Sequence, residues 1–158
     1  MLVKHLTLSH FRNHENTELA LEPGVTLLVG QNGQGKTNVV ESIAYLATLS
    51  SHRVAGYQPL IQHDQPKAIV RALVSHDARD VLVELELNRE TPNRVRINKG
   101  GPVKARDVLG IVQTVVFAPE DLDIVKKDPS NRRAFIDSLV VQVWPRFAGV
   151  YSDYDRVL

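Results

Sequence analysis

Hydrophobic and polar residues alternate near the start of the chain, which predicts β-strands. Apolar residues recur at nearly every second position in Leu2–His10 and again in Thr17–Leu21, with a polar turn at residues 10–14 between them. The run Val25–Val29 is rich in apolar, β-forming residues and ends on a glycine, so we expect a buried strand of a mixed or parallel sheet. From Thr37 to Leu49 the apolar spacing becomes helical, which predicts a helix buried on one face.

The middle of the chain has the pattern of an antiparallel meander. Ala68–Ser75, Val81–Leu87 and Arg94–Ile97 each alternate apolar with polar residues, and short polar turns separate them. The preceding stretch, Ser50–Pro66, mixes polar residues with glycine and proline and predicts a loop or a broken helix. An antiparallel β subregion is therefore expected at about residues 68–98.

The last third of the chain is expected to be mainly helical. A short helix is predicted for Val103–Gly110, followed by a second wholly apolar strand at Ile111–Phe117. Further helices are predicted for Asp121–Lys127 and for Ser130–Trp144, and Tyr151–Leu158 has the pattern of a helix that continues to the last residue. The helix over 130–144 has an apolar side made of Phe135, Leu139, Val140 and Val143.

Composition narrows the class of protein. A length of 158 residues suits one domain, and 43% apolar residues supply a core. The chain has no cysteine, which excludes disulfides, thiolate metal sites and cysteine nucleophiles. It has neither a secretory signal nor a run of about 20 apolar residues, so we expect a cytoplasmic protein without a membrane partner. The net charge of +1 leaves the choice of partner open.

One motif between the expected strand and helix indicates phosphate chemistry. The pattern Gly-x-x-x-x-Gly-Lys-[Ser/Thr] binds phosphates because its glycines let backbone N–H groups converge on the oxygens at a helix N-terminus. It is matched in full by Gly30, Gln31, Asn32, Gly33, Gln34, Gly35, Lys36 and Thr37. We expect Lys36 to reach the β and γ phosphates and the Thr37 hydroxyl to bind Mg²⁺, with ATP as the nucleotide.

Two other pairs of residues are candidates for the same site. Arg12 and Asn13, in the first polar turn, could supply charge and hydrogen bonds to phosphates, although the residues alone favour a solvated turn. Glu120 and Asp121 follow an apolar run, where carboxylates could contact Mg²⁺ or its waters. Capping of the next helix explains this second pair better.

A basic window lies between residues 89 and 106. It has a net charge of +5 because a single acid, Glu90, opposes six basic residues. Such a cluster on a hairpin could follow the phosphate backbone of DNA, although a solvated hairpin face is an equally good explanation. The basic residues are Arg89, Arg94, Arg96, Lys99, Lys104 and Arg106.

Taken together, the motifs resemble those of the RecF family of bacterial recombination and repair proteins, which are relatives of SMC heads. The resemblance covers the whole chain. It rests on the Leu-x-Leu-x-x-Phe-Arg-Asn run of Leu6–Asn13, the phosphate loop followed by Asn38 and Glu41, Val116–Leu122, and the Lys126–Asp137 stretch. It implies an α/β P-loop NTPase of the ATP-binding cassette type, with a mixed sheet around the phosphate-loop helix and an antiparallel meander.

The resemblance also implies a function. It suggests an ATP-dependent DNA-binding protein of replication and recombinational repair that acts at single-stranded gaps and junctions, helps load the recombinase and supports the SOS response. RecO and RecR are its implied partners, together with an ATP-dependent homodimer. By analogy with related heads, Arg12 and Asn13 become phosphate contacts. Many cassettes have a glutamine after the strand that ends here at Phe117, whereas this chain has Glu120 and Asp121 nearby.

Two later elements of the family are missing from this sequence. It contains neither a Ser-Gly-Gly signature nor an Asp-Asp or Asp-Glu pair after a strand, which would bind Mg²⁺ and activate water. We therefore interpret residues 1–158 as the N-terminal part of a cassette head, with no catalytic residue in this chain. The full-length dimer is expected to be a weak ATPase, and this chain to be inactive by itself.

Two other classes of function remain open from the residues. A P-loop kinase or GTPase-like enzyme would need a phosphate-acceptor pocket or a guanine-recognising Asn-Lys-x-Asp run, and neither is evident. A non-hydrolysing module could instead use nucleotide only to dock DNA. Nucleotide preference separates the first alternative from the RecF-like hypothesis, and DNA binding without nucleotide would favour the second.

Overall fold

A computed structural model describes residues 1–76, 79–118 and 129–157. Its strands are β1 (Leu2–Phe11), β2 (His14–Ala20), β3 (Lys67–His76), β4 (Arg79–Asn88), β5 (Arg94–Ile97) and β6 (Pro102–Val103). Its helices are α1 (Lys36–Thr48), α2 (Pro129–Val143) and α3 (Phe147–Val157). Short 3-10 turns lie at Gln58–Leu60 and Ala105–Val108.

The strands form one six-stranded sheet in the order β2-β1-β3-β4-β5-β6, and every neighbouring pair is antiparallel. The predicted meander of β3, β4 and β5 is confirmed, as are the two strands at the start of the chain. β1 lies between β2 and β3 and pairs with both over most of its length. The pairing with β3 ends at Ser9, whereas the pairing with β2 continues to Phe11.

One face of the sheet packs beneath α1 and forms the core. Alternate residues of the strands are fully or almost fully buried there, as the period-2 pattern predicts. Leu6 and Leu8 of β1, Val70 of β3 and Leu85 of β4 belong to the same buried cluster as Leu46 of α1. Each such aliphatic side chain contributes about 1.5–3 kcal/mol when fully buried, so the phosphate-loop helix is anchored on a rigid sheet.

A two-residue turn joins β1 to β2 and is held against a distant segment. Phe11 pairs with His14 across the hairpin and also makes a bridge to Ile61. The Arg12 N–H donates to the Leu60 carbonyl at 2.7 Å, and Arg12 has a left-handed φ of 57°. The hairpin tip is thus a fixed point at which consecutive side chains leave the sheet in different directions.

The apolar run Val25–Val29 differs from its prediction. It joins no strand pairing within the described part of the chain, and Val25, Leu27 and Val29 are 99%, 80% and 81% exposed. The expectation of a buried strand is wrong for this structure, in which the described sheet is antiparallel throughout. Hydrophobicity predicts that a segment favours burial, but it does not supply the neighbouring strands that would cover it.

A similar difference affects residues 103–117. In place of the predicted short helix, residues 102–103 form β6 and Ala105–Val108 form a single 3-10 turn. The predicted strand Ile111–Phe117 makes only the Leu109–Val112 bridge among the described residues, and Val115 and Phe117 are 96% and 89% exposed. The prediction of a paired strand here is wrong for the same reason as for residues 25–29.

The helices agree more closely with the sequence pattern. α1 and α2 each begin one residue before their predicted starts, and α3 begins at Phe147, four residues before its predicted start at Tyr151. The apolar side of α2 is only partly covered, since Phe135, Leu139 and Val143 are 43%, 40% and 60% exposed. The helix predicted for residues 121–127 lies outside the described residues. None of the described helices has the length and apolar character needed to cross a bilayer.

Candidate phosphate-binding site

The loop Gly30–Thr37 leads directly into α1 and has the backbone conformation that its glycines permit. Gly33 and Gly35 have φ angles of 81° and 96°, in the left-handed region that favours glycine. Gly35 is also closely packed, because a Cβ built there would lie 2.5 Å from His14 Nε2 and 2.6 Å from Asn13 Oδ1. The second glycine of the motif is thus required both by its dihedral angles and by the hairpin tip behind it.

The N-terminus of α1 is open to an anion. No side chain caps this helix end and no acidic residue lies in its first turn, so its free N–H groups and the positive end of its dipole face the loop. Lys36 Nζ donates to the carbonyls of Gly30 and Gln31 at 2.8 and 2.6 Å. The ammonium group therefore lies over the loop, where the motif requires a cation.

Thr37 is suited to bind a metal ion together with phosphates. Its side chain is exposed in the first turn of α1, and its hydroxyl has no hydrogen-bond partner among the described residues. The described residues contain no group of three or more His, Cys, Asp or Glu side chains that could hold a metal. A single hydroxyl ligand is compatible with Mg²⁺, which commonly keeps several waters and takes its other ligands from substrate phosphates.

The hairpin tip braces the loop from behind. Asn13 Nδ2 donates to the Gly33 carbonyl at 3.2 Å, and the His14 Nε2 atom lies 3.0 Å from the Gly35 carbonyl. The other ring nitrogen of His14 is 2.9 Å from the Thr17 hydroxyl, which fixes the orientation of the imidazole. The structure therefore places Asn13 beside the loop, in contact with the loop backbone, and its predicted contact with phosphates stays a prediction.

Arg12 points instead towards α1, where it pairs with Glu41. Its Nε and Nη2 atoms donate to the two carboxylate oxygens of Glu41 at 3.0 and 2.6 Å, and Nη1 donates to the Pro59 carbonyl at 3.1 Å. A bidentate pair of this kind is strong and geometrically specific. A role for Arg12 as a phosphate contact stays a prediction, because its guanidinium is engaged by the protein here.

Glu41 is the centre of a polar cluster within the core. It is 0% exposed and also accepts hydrogen bonds from Ser51 at 2.6 Å and from Arg53 at 3.0 Å. Burial raises the pKa of this carboxyl, but the hydrogen bonds from Arg12 and Ser51 and the charges of Arg12 and Arg53 outweigh it and lower the pKa below 4.5. The carboxylate is therefore ionised and holds two guanidinium groups beside the loop.

A cavity adjoins this cluster on the outer side. Its volume is about 630 Å³, and three arginines contribute to its wall, two of which, Arg12 and Arg53, pair with the single carboxylate of Glu41. It is lined by Arg12, Asn13, Asn38, Arg53, Gln58, Pro59, Ile61, His63 and Arg89. Its size is within the range of small-molecule sites, and its charge favours an anionic ligand.

The structure divides the basic window of residues 89–106. Arg89 directs its guanidinium to the backbone carbonyls of residues 61, 62 and 65, and Arg96 pairs with Glu84 across β4 and β5. The residues of the window that remain exposed are Arg89, Arg94, Lys99, Lys104 and Arg106, the last of which lies 3.9 Å from Asp107. Acidic residues of β4, which lie outside residues 89–106, therefore offset part of the net charge of +5 counted from the sequence.

The Glu84 carboxylate is itself held by cations on both sides. It accepts hydrogen bonds from Arg71 of β3 and Arg96 of β5. Burial raises its pKa, but these bonds and charges outweigh burial and leave the pKa below its usual value. The outer face of the sheet is thus crossed by an ion-pair ladder, which orients Arg96 within the protein surface.

Several residues of the site were not assigned a role from the sequence. Asn38 and Glu41 were noted only as residues that carry the family resemblance. His14, Ser51 and Arg53 were not proposed for any role. An acid on the otherwise apolar face of α1 was a usable signal, since a buried carboxylate requires cationic partners. The partners themselves lie too far along the chain for spacing to identify them. The candidates Glu120 and Asp121 lie outside the described residues.

Comparison with known proteins places the chain in a family. The sequence model of the RecF/RecN/SMC N-terminal domain matches residues 2–122. The chain is 56% identical over its whole length to the DNA replication and repair protein RecF of Streptomyces avermitilis, of which it spans 42%. It is 54% identical to RecF of Paenarthrobacter aurescens and spans 40% of that protein. The chain thus spans about two fifths of the length of these relatives.

Solved structures agree with this result. Two structures of the recombination mediator protein RecF of the RecFOR pathway, described as RecF-ATP and RecF-ATPrS, superpose on 99% of this chain with TM-scores of 0.92 and 0.91. They are 30% and 29% identical to it, and the chain covers 42% and 43% of them. The SMC head domain of Thermotoga maritima, at 24% identity and a TM-score of 0.56 over 68% of the chain, shares the fold. The expected cassette-type fold is confirmed, and the chain belongs to the RecF/RecN/SMC N-terminal domain family, in which its close relatives are RecF proteins.

Proposed function

We propose that this chain binds Mg-ATP on the loop Gly30–Thr37, as the N-terminal part of an ATP-binding cassette head in a DNA replication and repair protein. The observation that carries the proposal is the open N-terminus of α1 behind a glycine loop over which Lys36 Nζ lies. In this arrangement the loop N–H groups and Lys36 bind the phosphates, and Thr37 binds Mg²⁺.

ATP is favoured over other nucleotides by two features. Relatives with 29–30% identity and the same backbone fold are described as RecF-ATP and RecF-ATPrS. The sequence also has no Asn-Lys-x-Asp run of the kind that recognises guanine.

DNA is the second ligand in this proposal. Arg94, Lys99, Lys104 and Arg106 remain exposed on the β5–β6 side of the sheet, where they would contact phosphates without recognising bases. We place the protein at single-stranded gaps and junctions, in recombinase loading and the SOS response. It would act with RecO and RecR and as an ATP-dependent homodimer with weak ATPase activity. The RecFOR pathway of the related structures supports this assignment.

Calorimetric titration of the chain with ATP and with GTP, each in Mg²⁺ and in EDTA, tests the nucleotide assignment. We expect measurable binding of ATP, at least tenfold weaker binding of GTP, and a lower ATP affinity without Mg²⁺ because Thr37 loses its ligand bridge. Equal affinities for the two nucleotides would contradict the proposed preference. No binding of either would contradict the site itself.

A further inference from the structure

A continuous chain of hydrogen bonds links the buried carboxylate of Glu41 to the backbone of the phosphate loop. Arg53 Nη1 donates to Glu41 Oε2 at 3.0 Å and to Asn38 Oδ1 at 2.8 Å. Asn38 Nδ2 donates to Asn13 Oδ1 at 2.7 Å, and Asn13 Nδ2 donates to the Gly33 carbonyl at 3.2 Å. Each side-chain amide uses its oxygen on one side and its nitrogen on the other, so each link determines the orientation of the next.

The chain of bonds is anchored at a fixed point. Glu41 is fully buried on α1 and ionised, and it also holds Arg12, the residue before Asn13. The Arg53 side chain is only 34% exposed because it lies between Glu41 and Asn38. Without Arg53, the acceptor end of Asn38 has no cation to fix it, and the amide can rotate away from Asn13.

The last link has a consequence for the loop. A trans peptide is planar, so the carbonyl of Gly33 and the N–H of Gln34 point to opposite sides. Because Asn13 holds the carbonyl at the hairpin tip, the Gln34 N–H is directed away from the tip. A glycine peptide that is not held in this way rotates readily, and its N–H would present itself to a phosphate for only part of the time.

We infer that Arg53 is a positioning residue, which acts through Asn38 and Asn13 to hold the Gly33–Gln34 peptide in the orientation that accepts a phosphate. The inference rests on the proposed nucleotide site and adds a distant residue that organises it. It differs from a direct phosphate contact in one measurable respect. If Arg53 acts through Asn13, then removing Asn13 also removes the effect of Arg53 on nucleotide affinity.

A double-mutant cycle on the whole chain measures this dependence. Asn13→Ala, Arg53→Gln and the double variant are titrated with Mg-ATP by calorimetry. Because each single variant loses a net hydrogen bond of the chain, we expect each to bind ATP about 3- to 10-fold more weakly. The double variant should be within about twofold of the weaker single variant, since both substitutions break the same chain of bonds. Independent losses that multiply to about 10- to 100-fold would overturn the inference.

Arg89→Gln provides a matched control. Arg89 lines the same cavity and carries the same charge, but its guanidinium contacts only the backbone of residues 61, 62 and 65. When Arg89→Gln is combined with Asn13→Ala, the losses of ATP-binding free energy caused by the two substitutions should add. Coupling as large as that of Arg53 would assign the non-additivity to general electrostatics and would also overturn the inference.

The free energies of unfolding of the same variants are measured in urea without nucleotide, and their coupling is compared with the coupling in ATP affinity. Coupling in both unfolding and ATP affinity is the expected result. Coupling in unfolding with unchanged ATP affinities would give Arg53 a purely structural role and would refute positioning. If the parent chain binds no ATP, the proposed function fails, and the unfolding cycle by itself decides whether the hydrogen-bonded chain exists.

Discussion

Gly35→Ala tests the packing of the hairpin tip against the phosphate loop. Gly35 has a φ of 96°, a conformation that costs a residue with a Cβ about 1–2 kcal/mol. The added Cβ would also lie 2.5 Å from His14 Nε2 and 2.6 Å from Asn13 Oδ1, so both side chains must move. Their hydrogen bonds to the loop carbonyls contribute about 0.5–1.5 kcal/mol each, which gives an expected destabilisation of about 2–5 kcal/mol.

Gly33→Ala is the matched control for backbone strain. Gly33 has a φ of 81° but no atom within 4 Å of a built Cβ, so it carries the conformational penalty without the clash. We expect it to cost about 1–2 kcal/mol. The two free energies of unfolding, measured by urea denaturation with equal m-values, should therefore differ by about 1–3 kcal/mol.

A third variant locates the source of that difference. Gly35→Ala in a His14→Ala background meets one obstacle fewer, so its penalty should be smaller than in the parent chain. Equal destabilisation by the two glycine substitutions would refute the close packing of the tip against the loop. A penalty for Gly35→Ala that does not change when His14 is removed would show that the imidazole is not the obstacle.

Three further predictions follow from other parts of the structure. The pKa of Glu41 is lower in the folded protein than the usual 4.5. The ionised carboxylate therefore stabilises the folded state fully at pH values above 4.5, and this stabilisation is lost as the pH falls through the lower pKa of the folded protein. Glu41→Gln should therefore cost about 3 kcal/mol at pH 7 and flatten the acid dependence of urea unfolding; an unchanged profile would contradict this. Reversing Arg94, Lys99 and Lys104 to Glu should weaken DNA binding of the protein about equally across sequences and reduce the salt slope by about 0.9 for each DNA phosphate that the protein no longer neutralises. Fluorescence anisotropy at several salt concentrations measures both effects, with substitution of the exposed Arg79 by Glu as the control. An unchanged DNA affinity and salt slope would show that the basic residues are only a solvated surface. The chain should release negligible phosphate from Mg-ATP in a steady-state assay, because its sequence has no Ser-Gly-Gly signature and no Asp-Asp or Asp-Glu pair. Steady turnover that Lys36→Ala abolishes would contradict that expectation.

The sequence predicted those parts of the fold that depend on local periodicity. The meander of β3, β4 and β5 was recognisable because each strand has one buried face and polar turns at its ends. The helix after the phosphate loop was recognisable because the motif and the 3.6-residue period agree. Val25–Val29 was misjudged because burial of a strand depends on partners that periodicity does not identify.

The candidate site was predictable to a similar extent. The phosphate loop is contiguous, so its residues could be read directly from the motif. Its supports come from elsewhere, since His14 contacts Gly35 and Arg53 contacts Asn38 through tertiary hydrogen bonds. The net charge of +5 in the 89–106 window does not include Glu84, which belongs to a neighbouring strand and pairs with Arg96. Glu84 and Arg96 become neighbours only through the register in which β4 and β5 pair.

Titration of Mg-ATP into the parent chain and into Lys36→Ala tests the central claim most directly. Lys36 is at the start of α1 with its ammonium group over the loop carbonyls, outside the apolar core, so its removal should leave the far-UV circular dichroism spectrum unchanged. A hydrogen bond to a charged group contributes about 1.5–3 kcal/mol, so we expect the ATP affinity to fall about 10- to 100-fold. Equal affinity of the two folded proteins for ATP would contradict the assignment of this loop as the nucleotide site.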